Sequence, residues 1–236
     1  MNLCERFEKI HGYRLDLKNP QTYNEKLFWR MSAKKNCPDR IVEMADKMRL
    51  REFAKDAKLI PTANTFPMFI KANNMSGRNV FVENEKQLAR AVMWILRQPR
   101  DYGAVKGEWW YQEMTPAILF QEPIKNFTEL KFFCFHGRAE YLQICDGDKR
   151  SWFTREGQYL NMRSHRKKSK IKTLPDITKA LKIADDLSSG IDHVRVDLLL
   201  ADEIYLTEFT FAHVSGRDKW SDPEFDRKMG EKWKID

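Results

Sequence analysis

HVRVDLLLADEIYLTEFTF, residues 193–211, is the stretch on which the reading of this chain turns. Residues 194–200 (VRVDLLL) and 204–211 (IYLTEFTF) are dominated by β-branched, aromatic and large apolar side chains, which suit a pleated, half-buried surface. Each reads as a strand. A two-residue turn at Asp202-Glu203 would pair Ala201 with Ile204, and that register sets Asp197 opposite Glu208 and Arg195 opposite Thr210, all on one face. Directly opposed side chains have Cβ atoms about 5 Å apart, and two carboxylates that close repel unless one is protonated or a cation lies between them. Mg²⁺ suits such a pair, because it takes a few carboxylate oxygens, keeps several waters and completes its shell with substrate phosphates. A solvated hairpin face would carry the same residues, and a three-residue loop would shift the register.

The rest of the composition permits an enzyme. A chain of 236 residues, 42% hydrophobic and 12% aromatic, can bury a proper core in one large or two small domains. Charged residues make up 32%, the formal net charge is +8, and basic residues concentrate in 163–172 (RSHRKKSKIK). A polyanionic partner follows from this balance: a nucleic acid, ATP, a nucleotide-sugar, an anionic polysaccharide or a membrane surface would each satisfy it, and a plain solvated loop would look the same. Cys4, Cys37, Cys134 and Cys145 form no C-x-x-C pair and have no histidines at zinc spacing, so free thiols of a cytoplasmic protein are expected. The first ten residues, MNLCERFEKI, lack a basic segment followed by an apolar core, and no stretch approaches the roughly 20 apolar residues of a membrane span. Neither a secretion signal nor an integral membrane segment is expected; peripheral membrane association and the oligomeric state stay open.

Helical periodicity runs through 23–31 and 40–58, so residues 1–60 read as a mainly helical segment. Residues 66–71 and 80–82 read as strands joined by a polar turn-forming loop, with Asn84 capping a helix that carries Leu88, Val92 and Ile95 on one face. Residues 117–121 form a further strand running into Glu122-Pro123-Ile124, where the chain crosses between lobes. Beyond, 130–135 and 139–145 flank the tight turn His136-Gly137, the basic run follows as a loop, 176–187 is helical, and the tail from Ser215 is irregular. The fold class expected is α+β, with a helical segment 1–60, a small lobe 61–120 and a C-terminal lobe 121–236.

Seven segments occur in an order and spacing that resemble one family: 19–29 (NPQTYNEKLFW), Ala45-Asp46-Lys47 with Arg51-Glu52-Phe53, 69–77 (FIKANNMSG), 131–137 (KFFCFHG), 193–198 (HVRVDL), 205–211 (YLTEFTF) and 228–234 (KMGEKWK). They resemble the TupA-like ATP-grasp family, named for a teichuronopeptide-biosynthesis protein, over nearly the whole chain. The resemblance implies an ATP-grasp fold of two small α+β lobes, with ATP and Mg²⁺ as cofactors. By position it implies that Lys47 and Lys71 reach the nucleotide's phosphates, aided by the loop of Asn73, Ser76 and Gly77. It also implies that Gln121, Glu122 and Ile124 form the adenine hinge, that Lys131 contacts phosphate or an acidic substrate, that Asp197 and Glu208 hold the metal, and that Arg195 offsets charge on the transferring phosphate. Departures from the family pattern are Asn74 where relatives have histidine, Thr210 where many ATP-grasp enzymes place an asparagine metal ligand, and His213-Val214-Ser215-Gly216 in place of a Pro- and Gly-rich turn. These bear on the acceptor and the metal count.

The activity implied is ATP-dependent carboxylate–amine ligation through an acyl phosphate, on an anionic saccharide precursor such as a uronic acid or nucleotide-sugar with an amino acid or other small amine. A glycosyltransferase or sugar kinase of the same pathway could use the same acids. From another class, a non-catalytic binder of anionic polymers could use the basic run and the seven tryptophans; a nucleic-acid partner is not expected.

Overall fold

The computed structural model describes residues 2–75, 77, 79–98, 103 and 106–235. The N-terminal helices start where the sequence carries capping boxes: Asn2 with Glu5 opens α1 (Leu3–His11), and Thr22 with Glu25 opens α2 (Tyr23–Ser32). The continuous helix expected over 40–58 does not form. Asp46 adopts an extended backbone and its carboxylate accepts from the Met48 N–H, so α3 (Ile41–Ala45) ends there and a separate 3-10 turn, Lys47–Glu52, begins. That break turns Lys47 toward the site.

A three-stranded sheet follows β1 (Lys58–Leu59): β2 (Met68–Ala72), β3 (Asn79–Val82) and β4 (Ile118–Gln121), in the order β3-β2-β4. The helix α4 (Glu85–Leu96), capped by Asn84, covers one face, packing its Ala91 and Ile95 with Ile70 and Val82. The larger sheet comprises β1, β5 (Thr128–Phe135), β6 (Arg138–Asp146), β7 (Lys149–Thr154), β8 (Tyr159–Leu160), β10 (His193–Leu200) and β11 (Ile204–Thr210) in the order β1-β11-β10-β5-β6-β7-β8. His136 and Gly137, at φ 50° and 79°, make the tight turn between β5 and β6. Helix α5 (Thr178–Ser188) covers the face of the sheet carrying Cys134, whose thiol reaches the Ala184 carbonyl. Phe7, Tyr23, Phe28 and Leu50 of the helical segment lie in the same core as Phe133, Val196 and Phe209, so that segment and the large sheet share one interior.

Two expectations need correction. The basic run is not wholly a loop, because Lys167–Lys168 form β9, a parallel edge strand beside Lys149 and Arg150 of β7. The tail from Ser215 is not wholly irregular: Asp222 caps α6 (Pro223–Lys232), proline occupies its first turn where a missing N–H costs nothing, and Phe225 and Met229 are buried.

The decisive hairpin reaches its expected register by a different route. Leu200 pairs with Ile204, so the turn has three residues, 201–203, and the pairing nearer to it is one step off the expected register. A bulge between Leu206 and Glu208 inserts Thr207, whose hydroxyl donates to the Asp197 carbonyl at 3.0 Å, and the extra residue restores Asp197 opposite Glu208 and Arg195 opposite Thr210.

Candidate active site

Cross-strand pairing lays polar side chains in a row across the large sheet. Gln143 on β6 is opposite Lys131 on β5, Lys131 is opposite Asp197 on β10, and Asp197 is opposite Glu208 on β11. The row above holds Phe133, Arg195 and Thr210. Arg195 and Asp197 share a face because they are two residues apart on one strand.

The acids are not bare. Arg195 Nε and Nη2 donate to the two Asp197 oxygens at 2.6 and 2.7 Å, and Lys131 Nζ donates to Oδ2 at 2.9 Å. Burial alone would raise the Asp197 pKa, but Arg195 and Lys131 outweigh it and hold the carboxyl at about 2. The repulsion expected of two facing carboxylates is therefore already offset by side chains of the chain itself. Lys47 Nζ lies 2.9 Å from Glu208 Oε1 and donates to the Met75 carbonyl at 3.1 Å, tying β11 to the loop after β2. Along the row the charges read Lys131, Asp197, Glu208, Lys47: two acids between two cations.

The residues fit a divalent cation unequally. Glu208 Oε1 is buried and meets the Lys47 ammonium at 2.9 Å without hydrogen-bond geometry, so among the described residues it keeps lone-pair capacity for a metal beside Lys47. Asp197 has three of its roughly four lone-pair sites engaged and offers one more. Thr210 accepts from Arg195 Nη2 at 2.9 Å.

Two cavities flank this row. One, of about 170 Å³, is a slot with apolar walls from Met48, Leu50, Leu59, Ile60, Phe120 and Leu206, bounded also by Lys47 and Gln121. Gln121 Oε1 is a buried acceptor with no partner among the described residues. The other, of about 270 Å³, is strongly cationic: Lys106, Lys131, Arg150, Arg166, Arg195 and Arg217 line it with Gly77, Gln143, His165 and His213, against one carboxylate among the described residues, that of Glu108. Gln143 Nε2 is a buried donor without a partner among the described residues. Lys47 lines the slot and touches Glu208; Glu208 pairs across strands with Asp197, which is bound by Lys131 and Arg195 of the cationic cavity. The linings of the two cavities are thus linked by side-chain contacts through the acids.

Other sequence-predicted residues fall in different places. Lys71, on β2, has its pKa lowered by burial and by nearby Lys47, which suits an ammonium awaiting a counter-charge. Asn73 is fully enclosed, and its amide is spent on Asp46 Oδ1, the Thr115 carbonyl and the Ala117 N–H, so it shapes the loop rather than reaching a ligand. Ser76 lies outside the described residues. Glu122 leaves the slot, with its N–H bonded to the Pro61 carbonyl and its side chain exposed, and Ile124 borders a separate shallow pocket with Tyr205. Of the three hinge residues, only Gln121 lines the slot.

Sequence reasoning missed Glu108, His165, His213 and Asp218. Burial raises the Glu108 carboxyl to about 7, against the hydrogen bond donated by the Ser215 hydroxyl. Val214 and Ser215 stand at φ 50° and 52°, which costs of order 1–3 kcal/mol each. The Arg6 guanidinium holds the Ser215 carbonyl at 3.2 Å and His11 Nε2 the Gly216 carbonyl at 2.8 Å. A Cβ at Gly216 would lie 2.7 Å from the Phe28 ring, so glycine alone lets this turn sit against α2. No periodicity marks such a turn. The His213 and Asp218 pair in HVSGRD was the one signal available.

No curated protein matches the sequence. Among solved structures, the fold is similar to D-alanine–D-alanine ligase from Helicobacter pylori, with TM-score 0.53 and 17% identity over 81% of this chain and 61% of that one. It is also similar to the biotin carboxylase–βγ-ATP complex from Campylobacter jejuni, with TM-score 0.47 and 15% identity over 90% of this chain and 53% of that one. The chain spans about half to three-fifths of the length of these proteins. No helix among the described residues is long and apolar enough to cross a membrane. The sequence profile of the TupA-like ATP-grasp family matches residues 25–234. With that match running from α2 through both sheets to the end of α6, the chain belongs to the TupA-like ATP-grasp family and its two α+β lobes are an ATP-grasp fold.

Proposed function

We propose that the protein uses ATP to join a carboxylate to an amine, working in the cytoplasm on an anionic, carboxylate-bearing saccharide precursor. The observation that carries this reading is an apolar slot with an orphaned Gln121 acceptor and a cationic cavity whose linings are linked by side-chain contacts through Lys47, Glu208, Asp197 and Arg195. Gln121 Oε1 would accept from the adenine amine. Lys47 and Lys71 would meet the phosphates as compact point charges. Glu208, with the remaining capacity of Asp197, would hold Mg²⁺, which when bound offsets charge on the transferring phosphoryl group. Arg195, fixed on Asp197 and Thr210, would face that group from the cationic cavity. Arg150, Arg166, Arg217 and the orphaned Gln143 Nε2 would hold the acceptor's anionic oxygens. A carboxylate so held attacks the γ-phosphorus, ADP leaves, and the resulting acyl phosphate is opened by the amine with release of phosphate.

Calorimetry with MgATP, followed by product analysis with panels of uronic acids and amino acids, tests the reading. ADP and phosphate together support ligation. ADP alone would mean a kinase, a nucleoside diphosphate released from a sugar donor would mean glycosyl transfer, and no binding at millimolar MgATP would overturn the assignment.

Glu108, the one carboxylate among the described residues of that cavity, is placed to take a proton from the substrate ammonium and so free the amine that attacks. The rate is expected to rise with pH through about 7 in the wild type, and Glu108→Gln to remove that limb. Stability moves the other way. A carboxyl whose folded pKa is raised contributes stability that is present at acidic pH and lost as pH climbs through the folded value, so wild type should lose up to about 3 kcal/mol between pH 4.5 and 8 that Glu108→Gln keeps. Melting temperatures across that range check it.

A further inference from the structure

Arg195 has five N–H donors, and the structure accounts for four. Nε and Nη2 bond Asp197 at 2.6 and 2.7 Å, Nη2 bonds Thr210 Oγ1 at 2.9 Å, and Nη1 lies 2.5 Å from His213 Nδ1. The fifth hydrogen, also on Nη1, has no acceptor among the described residues, and Arg195 lines the cationic cavity. A guanidinium can only donate, so His213 Nδ1 must be the bare, accepting nitrogen. The proton then sits on Nε2, which donates to Asp218 Oδ2 at 2.9 Å. Asp218 is fully buried, and its other oxygen accepts from the His165 N–H at 2.7 Å and from His165 Nδ1 at 2.8 Å.

We infer that Asp218 and His213 are positioning residues for the phosphoryl-transfer step: Asp218 selects the Nε2–H tautomer of His213, and the bare Nδ1 turns the Arg195 guanidinium so that its one uncommitted hydrogen faces the cationic cavity. The role follows from donor and acceptor chemistry. With the other tautomer, Nδ1–H would oppose Nη1–H, and Arg195 could keep its Asp197 contacts only by swinging Nη1 away. The neutral ring is reinforced by its surroundings: burial, the largest influence, lowers the His213 pKa to about 4 against the pull of Asp218. Phe133 meets the ring edge-on at 5.1 Å and Trp220 stacks over it at 6.5 Å, so it has little room to turn.

The same cluster offers a rival. His165, His213 and Asp218 bring ligand atoms within 4.8 Å of one another, a spacing that admits a metal ion. A metal on His213 Nε2 would drive the ring proton to Nδ1, against Arg195. The two roles therefore exclude each other, and the tautomer decides between them.

The inference rests on the ligase reading for its rate effects but not for its structural claim, and the test separates the two. Two-bond ¹H–¹⁵N spectra of histidine-labelled wild-type protein, assigned by loss of the signal in His213→Asn, are expected to show His213 with a protonated Nε2 and a bare Nδ1 at neutral pH. An Nδ1–H tautomer, an imidazolium, or conversion to Nδ1–H on adding Zn²⁺ would overturn the proposal. In turnover assays, Asp218→Asn can donate to Nε2 and so invert the tautomer; kcat should fall about 100-fold while KM for ATP stays within about twofold, as expected when a correctly oriented group is lost rather than a binding contact. His213→Asn, which can place a carbonyl oxygen near the Nδ1 position, should recover to within about fivefold of wild type, whereas His213→Leu should not. Equal losses for His213→Asn and His213→Leu in folded protein would assign the ring a packing role and overturn the proposal. If wild type shows the expected tautomer yet no ATP-dependent phosphate release, the ligase reading fails and the positioning of Arg195 stands.

Discussion

Asp197→Asn should destabilise the protein by about 3–5 kcal/mol and abolish turnover, measured by urea unfolding and phosphate release. Asparagine keeps the shape of the side chain, but it removes the only charge that Arg195 and Lys131 share. Their side chains are 9% and 14% exposed, so two cations would be left largely out of water with a neutral amide as partner. Glu129, 2.9 Å from Lys131, takes up part of that excess, which keeps the loss near the lower bound if the strand relaxes toward it. The direction is the point at issue. Two bare carboxylates facing each other would gain stability when one is neutralised, whereas an acid gripped by two cations loses it; a melting temperature that rises in Asp197→Asn would refute the ion network.

Glu208→Gln should separate activity from stability. Its Oε1 meets the Lys47 ammonium at 2.9 Å without hydrogen-bond geometry, and Lys47, 8% exposed, keeps a bond to the Met75 carbonyl, so removing the charge costs about 1–3 kcal/mol of stability, less than Asp197→Asn. Removing a ligand from the shell that offsets phosphoryl charge should cost several kcal/mol at the transition state, on the order of 10³-fold in kcat, with a raised requirement for Mg²⁺. A variant that retains wild-type turnover would take Glu208 out of the metal shell. One that unfolds would show that the Lys47 pair, rather than a metal, is what Glu208 is for.

Much of this site was legible in the chain because it rests on local chemistry. The alternation of VRVDLLL and IYLTEFTF identified two strands, and the i, i+2 spacing of Arg195 and Asp197 set both on one face. Asn84 announced a helix start through a side chain that caps within three residues. The opposition of Asp197 and Glu208 was reached through a turn one residue too short, with Thr207 making up the difference. A bulge leaves no mark in composition, because what specifies it is how the two strands twist against the rest of the sheet.

What the sequence determined by itself was the two hairpin strands, the pairing of Arg195 and Asp197 with Thr210 and Glu208, and the family pattern, which rest on one hairpin and on short local segments. Tertiary structure decided which charges meet. Lys131 and Lys47 come from strands and turns 66 and 161 residues away from the acids they hold, and only their convergence turns a repulsive carboxylate pair into a neutralised network. It also decided burial, which spent Asn73 on the loop, carried Glu122 away from the slot, raised Glu108 and closed His213 between Arg195 and Asp218. Burial and long-range contact set a side chain's solvation and its partners, and through these its charge state, so the chemistry of a charged residue is not a property of its position in the chain.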